Sequence, residues 1–228
     1  MKILAMADLH GDLELYLRMK ELFSSREIEA VVIAGDLLSA FRSDISVENA
    51  MKEVAQSVVE ILISFSKPVF YIMGNDDLVN LGYEDSRIRS IHCERVTLGK
   101  YSFVGYQYSL LFTLGPFEKP ETEIQKDMVA VARLIDMNTV LVTHSPAYGI
   151  LDEGIPIPGR DVHVGSRSIL DLIERNPVKA HIHGHIHKCF GRSGIHFNVA
   201  SAGRFRGMII DLDDLSYEVF DKDSTQTL

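Results

Sequence analysis

Cysteine is scarce in this chain. Cys93 and Cys189 are too few for a disulfide framework and form no CxxC pair, so neither thiol-redox chemistry nor a cysteine zinc site is indicated. Long apolar runs are also missing. None approaches the roughly 20 residues that a membrane helix needs. The opening MKILAMADLHGD turns polar from position 8, as a core strand entering a loop does and a secretory signal does not. These absences favour a cytoplasmic protein without membrane contact. Positive charge is in deficit as well. The 23 Lys+Arg against 32 Asp+Glu leave a net charge of -9, a field that opposes a long polyanion. With no basic stripe, nucleic-acid binding and nuclease activity are poor readings. A small phosphorylated ligand is still compatible if local cations offset the charge. No repeat, low-complexity tract or Pro/Gly/Ser-rich linker interrupts the 228 residues, so a single domain over 1–228 is expected.

What is present reads as a packed α/β protein. Hydrophobic residues at 46% suffice for a continuous core. Five short apolar runs, Lys2–Ala7, Ala30–Ala34, Val69–Met73, Thr139–Thr143 and Val178–Ile182, read as strands buried on both faces. Between them, helical spacing marks three apolar faces. One carries Val47, Met51, Val54, Val58, Ile61, Leu62 and Phe65. A second carries Ile124, Met128, Val131 and Ile135, and a third Ile169, Leu172 and Ile173. Arg95–Ser109 and His196–Phe220 look instead like consecutive strands, with hairpin turns at Leu98-Gly99-Lys100 and at Leu212-Asp213-Asp214-Leu215. The alternation predicts an α/β sandwich with mixed sheets.

The polar residues recur where the strands end. The sequence gives Asp8-x-His10, Gly35-Asp36, Gly74-Asn75, Thr143-His144 and Gly184-His185-x-His187. Each pair taken alone is ordinary turn or cap chemistry. Turn chemistry does not explain why strand after strand ends in oxygen and imidazole donors, nor four histidines within HIHGHIH. Ligands of open α/β sheets collect outside the C-terminal strand ends. A donor set of oxygen and imidazole without thiolate suits manganese, iron or zinc. Asp8, His10, Asp36, Asn75, His144, His185 and His187 are too many ligands for one catalytic ion that keeps an open position. Two divalent ions are therefore expected, manganese first, with Asp36 able to bridge them.

This ordered series resembles the calcineurin-like metallophosphoesterases, whose motifs run D-x-H, G-D, G-N-H-[DE], H and G-H-x-H. Here they stand as DLHGD (8–12), GD (35–36), GNDD (74–77), TH (143–144) and GHIH (184–187). THSPAYGILDEG (143–154) and HVGSRSILDLIE (163–174) are further similar to the Icc-related bacterial and archaeal branch. The resemblance implies a fold of two mixed β-sheets packed face to face as a sandwich and flanked by helices. It implies that Asp8, His10 and His187 hold one metal, that Asn75, His144 and His185 hold the other, and that Asp36 bridges both. The expected activity is in-line hydrolysis of a small phosphodiester or activated monoester by a hydroxide bridging the ions, with Asp36, Asn75 and His144 acting through the metals.

One position departs from the pattern. Where the family carries a histidine held to bind phosphate and protonate the leaving oxygen, this chain has Asp76. A carboxylate there disfavours unactivated monoesters, which depend most on a general acid, and favours diesters; a plain turn or cap role is the alternative. Asp12 is expected to orient His10 or a neighbouring ligand. His183 is a candidate for assisting phosphate or protonation, and His181 would share its strand face. The long stretch 145–165 is a candidate substrate wall. Arg160, Arg167, Arg204 and Arg206 are candidate anion clamps, solvation being the alternative for each. His92 and His196 read as structural or surface residues, and Cys189 as neutral packing. Tyr106, Tyr108, Leu110, Leu111 and Phe112 form either core or an exposed edge for a homo-oligomer. A second function, a weakly catalytic metal-binding scaffold for protein–protein interaction, is set against hydrolysis by the lost histidine on one side and the complete ligand series on the other.

Overall fold

The apolar runs form strands buried on both faces, as their continuous hydrophobicity requires. The computed structural model describes residues 1–39, 43–156, 158–159, 161–221 and the backbone of Lys222. In chain order come β1 (Lys2–Met6), α1 (Leu13–Ser25), β2 (Ala30–Ala34), α2 (Val47–Ile63), β3 (Val69–Ile72) and β4 (Ile88–Ser90). Next are β5 (Arg95–Leu98), β6 (Tyr101–Tyr106), β7 (Ser109–Leu110), β8 (Glu118–Lys119), α3 (Glu121–Val131) and β9 (Thr139–Thr143). Last are α4 (Arg167–Arg175), β10 (Ala180–His183), β11 (Gly191–Ser193), β12 (His196–Asn198), β13 (Phe205–Asp211) and β14 (Tyr217–Lys222).

Two six-stranded mixed sheets result. The first runs β14-β13-β1-β2-β3-β4 and the second β11-β12-β10-β9-β6-β5, with β7 and β8 as a small parallel pair. Within the first, β1 to β4 are parallel and β13 is antiparallel to β1. Within the second, β6, β9, β10 and β12 are parallel, and β5 and β11 are antiparallel at the edges. Both expected hairpins form: β5 and β6 pair across Gly99, and β13 and β14 pair across the 212–215 turn.

Alternation along each strand assigns the layers. Ile3, Ala5, Val32, Ala34, Phe70 and Ile72 of the first sheet meet Phe103, Val140, Val142, Ala180 and Ile182 of the second in the central core. Leu4, Met6, Val31, Ile33 and Tyr71 point the other way, under α1 and α2. Val104, Tyr106 and Leu141 lie under α3 and α4. This is the expected α/β sandwich. One helix was not among the three apolar faces read from the sequence. In α1, Leu15, Tyr16, Met19 and Phe23 are buried against the first sheet, each burial worth roughly 1.5–3 kcal/mol. Asp12 starts that helix by accepting the Glu14 and Leu15 amides at 3.0 and 3.4 Å, a capping contact in place of the expected orientation of His10. Among the described residues no helix is long and apolar enough to cross a membrane.

Candidate metal centre

The parallel strands of both sheets end on one side, and their outgoing loops are tied together through the main chain. Asp8 and His10 donate their amides to the Gly35 and Asp36 carbonyls at 3.0 and 2.9 Å. The Gly184 amide donates to the His144 carbonyl at 3.2 Å, and the Ser201 amide to the Ala7 carbonyl at 2.8 Å. Asp8, His10, Asp36 and His185 all leave their strands in the left-handed region, with φ of 57, 45, 51 and 70°. Such a conformation costs a non-glycine residue roughly 1–3 kcal/mol and concentrates at functional sites. The sharp bend turns each side chain in from the strand end. Two of the motif glycines have a steric reason. A Cβ on Gly74 would stand 2.3 Å from Asp36 Oδ1, and one on Gly184 would stand 2.4 Å from Asp8 Oδ2.

The side chains converge. Asp8, fully buried, accepts the His185 amide at 3.1 Å and faces His187 Nε2 at 3.2 Å. His10 Nε2 is 4.0 Å from Asp36 Oδ2, and the His10 and His187 rings meet edge-on at 5.6 Å. His144, also fully buried, donates Nδ1–H to the Ala34 carbonyl at 2.9 Å, which leaves Nε2 facing inward. That nitrogen lies 2.9 Å from Asn75 Oδ1 and 3.3 Å from Asp36 Oδ2. Asp8, His10 and His187 form one group with ligand atoms within 4.8 Å of one another. Asp8, Asp36 and His144 form a second, and His10, Asp36 and Asp76 a third. Asn75 joins through His144, and His185 through its ring contact with His144 at 5.0 Å. All seven expected ligands are thus brought together, and Asp8, His10 and Asp36 each belong to two of the groups.

The donor chemistry fits cations. Two buried carboxylates, an amide oxygen and inward imidazole nitrogens share one small volume, an arrangement that is repulsive unless positive charge lies among them. Burial opposes charge on Asp36, but His144 outweighs it and holds the carboxyl well below the usual range. Burial likewise opposes a charged His144; Asp36 and then Asp8 overcome this and push it up to about 10. Burial, and then the His144 charge, pushes His185 down to about 4, toward the neutral imidazole that binds metals. Asp76 is raised by burial and by the charge of Asp36.

Residues 1–189 match the family described as calcineurin-like phosphoesterase. The chain belongs to that family. It is a metal-dependent hydrolase family, and this member carries candidate metal-ligand groups built from Asp8, His10, Asp36, Asp76, His144 and His187. A relative, the uncharacterized protein MJ1162 of Methanocaldococcus jannaschii, is 28% identical over 203 residues, 85% of this chain and 84% of its own. The crystal structure of TT1561 from Thermus thermophilus superposes with a TM-score of 0.71 at 16% identity, over 96% of this chain and 98% of that one. A dimetal phosphatase from Danio rerio gives 0.54 at 12% identity, over 96% and 86%. At these identities the structural likenesses speak for the fold.

Several expected roles in this phosphoesterase are corrected. His183 is fully buried, stacks on His181 at 5.1 Å, and is pushed down to about 3 by burial. Burial thus favours the neutral imidazole, a setting that does not support the expected part in protonation. His181 instead bonds Thr143 Oγ1 at 2.8 Å and His196 Nδ1 at 2.9 Å, so this histidine row packs the outer face of the second sheet. Arg206 donates to the Ala200 and His187 carbonyls, Arg204 pairs with Asp221, and Arg167 stacks on Tyr148 beside Asp161. The expected anion clamps are thus engaged in the fold, and Arg160 lies outside the described residues. His92 is partly buried against Tyr106 and Tyr108. Tyr106 is core, whereas Leu111 and Phe112 are exposed. Cys189 is partly buried against the Glu153 carbonyl, and burial raises its thiol. One residue of the site was missed from the sequence. Asp77, fully buried, accepts the amides of Leu37, Leu38 and Gly74 at 3.2, 2.7 and 2.8 Å. It ties the loop after β2 to the loop after β3. Its signal was the second aspartate of GNDD.

Proposed function

We propose that this chain is a dinuclear metal-dependent phosphoesterase that cleaves small phosphodiesters, or monoesters with good leaving groups, better than unactivated monoesters. The observation that carries the reading is the convergence of seven donors from five strand ends, with Asp76 standing beside them. Asp8, His10, His187 and Asp36 would hold one ion, and Asn75, His144, His185 and Asp36 the other. Divalent ions bound there would supply Lewis acidity and lower the pKa of a water toward neutrality; oxygen and imidazole donors suit manganese, iron or zinc.

The chain's own residues prepare that centre. The Nδ1–H bond to Ala34 fixes His144 in the tautomer that presents Nε2. Asn75 Nδ2 donates to Asp76 Oδ1 at 2.8 Å, which turns Oδ1 of the amide toward His144. Asp76 therefore positions Asn75, and it also stands 3.7 Å from His10 Nδ1 with its side chain 47% exposed. A carboxylate at that place repels the dianion of a monoester more than the monoanion of a diester, and it lacks the imidazolium that protonates a poor leaving group. With manganese, hydrolysis of bis-para-nitrophenyl phosphate should exceed that of para-nitrophenyl phosphate, and Asp76→His should narrow the gap by raising the monoester rate. A manganese-loaded protein inert toward both esters rejects this reading and favours the scaffold.

A further inference from the structure

Exposed large apolar side chains occur in several places, Met137 at 69% and Val129 at 62% among them. Among the described residues the three most exposed are Ile155 at 83%, Leu114 at 80% and Phe112 at 79%, and all three stand on two loops that rest on ligand-bearing segments. The loop between β7 and β8 carries Phe112 and Leu114. Its Gly115 packs so closely on the metal loop that a Cβ there would stand 2.9 Å from the Asn75 carbonyl oxygen. The other loop carries Ile155. Its Gly154 carbonyl accepts Lys188 Nζ at 2.6 Å, one residue past the ligand His187, and its Glu153 carbonyl faces Cys189 Sγ at 3.6 Å. Leu78, 41% exposed, adds a fourth apolar group on the metal loop itself.

Each loop is anchored by a buried carboxylate. Glu118 accepts the amides of Phe112, Thr113 and Leu114 and the Thr113 hydroxyl, all at 2.7–2.9 Å. Leu114 is kept at a φ of 64°, a conformation that costs a leucine free energy. Asp152, fully buried, accepts the amides of Gly149 and Gly165 at 2.9 and 3.0 Å and His163 Nδ1 at 2.6 Å. Anchored backbone that presents large apolar groups to water beside a polar centre matches a ligand site, in which apolar walls supply affinity and a few polar groups fix orientation.

We propose that Phe112, Leu114 and Ile155 form the wall that receives an apolar alkyl or aryl ester group, so that the substrate is a soluble phosphoester with an apolar alcohol. The inference rests on the metal-centre reading above, which supplies the anchor for the phosphoryl group. A free molecule is favoured over a lipid surface because the net charge of -9 opposes approach to an anionic leaflet.

The test is calorimetric titration of the manganese-loaded protein with methyl-, butyl- and hexylphosphonate. A methylene buried over half its surface strengthens binding about twofold, so the hexyl compound should bind about 30-fold more tightly than the methyl. In the double variant Phe112→Ser/Leu114→Ser, checked for folding by circular dichroism, the dependence on chain length should flatten. A flat series in the wild type, or an unchanged slope in the double variant, overturns the proposal. So does a flat series accompanied by sedimentation with phosphatidylcholine vesicles, or by dimerisation, that the double variant loses. The two readings fail separately. A steep binding series with no ester hydrolysed removes the hydrolase and leaves the apolar wall. Hydrolysis of bis-para-nitrophenyl phosphate with a flat series does the reverse.

Discussion

Replacing Asp77 tests how the metal loops are held. In Asp77→Ala, three buried amides, of Leu37, Leu38 and Gly74, lose acceptors at 3.2, 2.7 and 2.8 Å. An unsatisfied buried amide costs about 1–3 kcal/mol, so the upper bound for three is about 9 kcal/mol. Two effects reduce it. Water entering the vacated space re-satisfies part of the set. The wild-type carboxylate also stands under strain, its pKa raised well above normal by burial and by the charge of Asp36. The expected net loss is about 2–4 kcal/mol, a large share of a typical 5–15 kcal/mol. Asp77→Asn keeps one oxygen, which can serve the Leu37 and Gly74 amides, and should lose only about 1–2 kcal/mol. Urea unfolding of the metal-free proteins reads both values as a shift in midpoint with an unchanged slope. Because Asp77 fixes the spacing between Asp36 and Asn75, Asp77→Ala should also weaken manganese binding by about 10–100-fold, the usual effect of losing a partner that orients ligands. A variant with wild-type midpoint, or with wild-type manganese affinity, would refute the clamp.

Three further outcomes are expected. The folded-state pKa of His144, about 10, lies above its ordinary 6.5. Its contribution to the stability of the metal-free protein is therefore complete below about pH 6.5 and lost as pH climbs through 10, so melts in chelator should fall over that window. A divalent ion competes with the same proton. Its affinity should rise about tenfold per pH unit between pH 7 and 9, with about one proton released per chain in calorimetry across buffers of different ionisation enthalpy. Affinity independent of pH would contradict the assignment. Gly184→Ala forces a Cβ to 2.4 Å from Asp8 Oδ2 and 2.5 Å from Ala7 Cβ. It should cost about 1–3 kcal/mol of stability and lower metal uptake, read by dye competition; unchanged uptake would show that the close approach is tolerated.

The sandwich was legible because its strands are buried on both faces and its helices on one. Continuous runs such as AVVIA and the spacing of Val47, Met51, Val54 and Val58 therefore carry the signal directly. The helix α1 escaped although Leu15, Tyr16, Met19 and Phe23 follow the same periodicity, because it begins inside the DLHGD motif and Asp12 was given to the metal site instead of to the cap. The seven converging donors could be read because each lies within four residues of a strand's C-terminal end. Roles that depend on what a side chain meets from distant segments could not. HIHGHIH shows that His183 shares a face with His181, but not that this face is buried, with His181 bonded to Thr143 and His196. Nor do isolated arginines show that Arg206 is spent on carbonyls. Glu118 and Asp152 look like ordinary surface acids until their loops fold around them.

The most direct measurement is an anomalous difference map from crystals grown with millimolar manganese. Two peaks about 3.5–4 Å apart are predicted, the first touched by Asp8, His10 and His187, the second by Asn75, His144 and His185, with Asp36 reaching both. A single peak, an empty map, or these side chains turned away from the density would contradict the account.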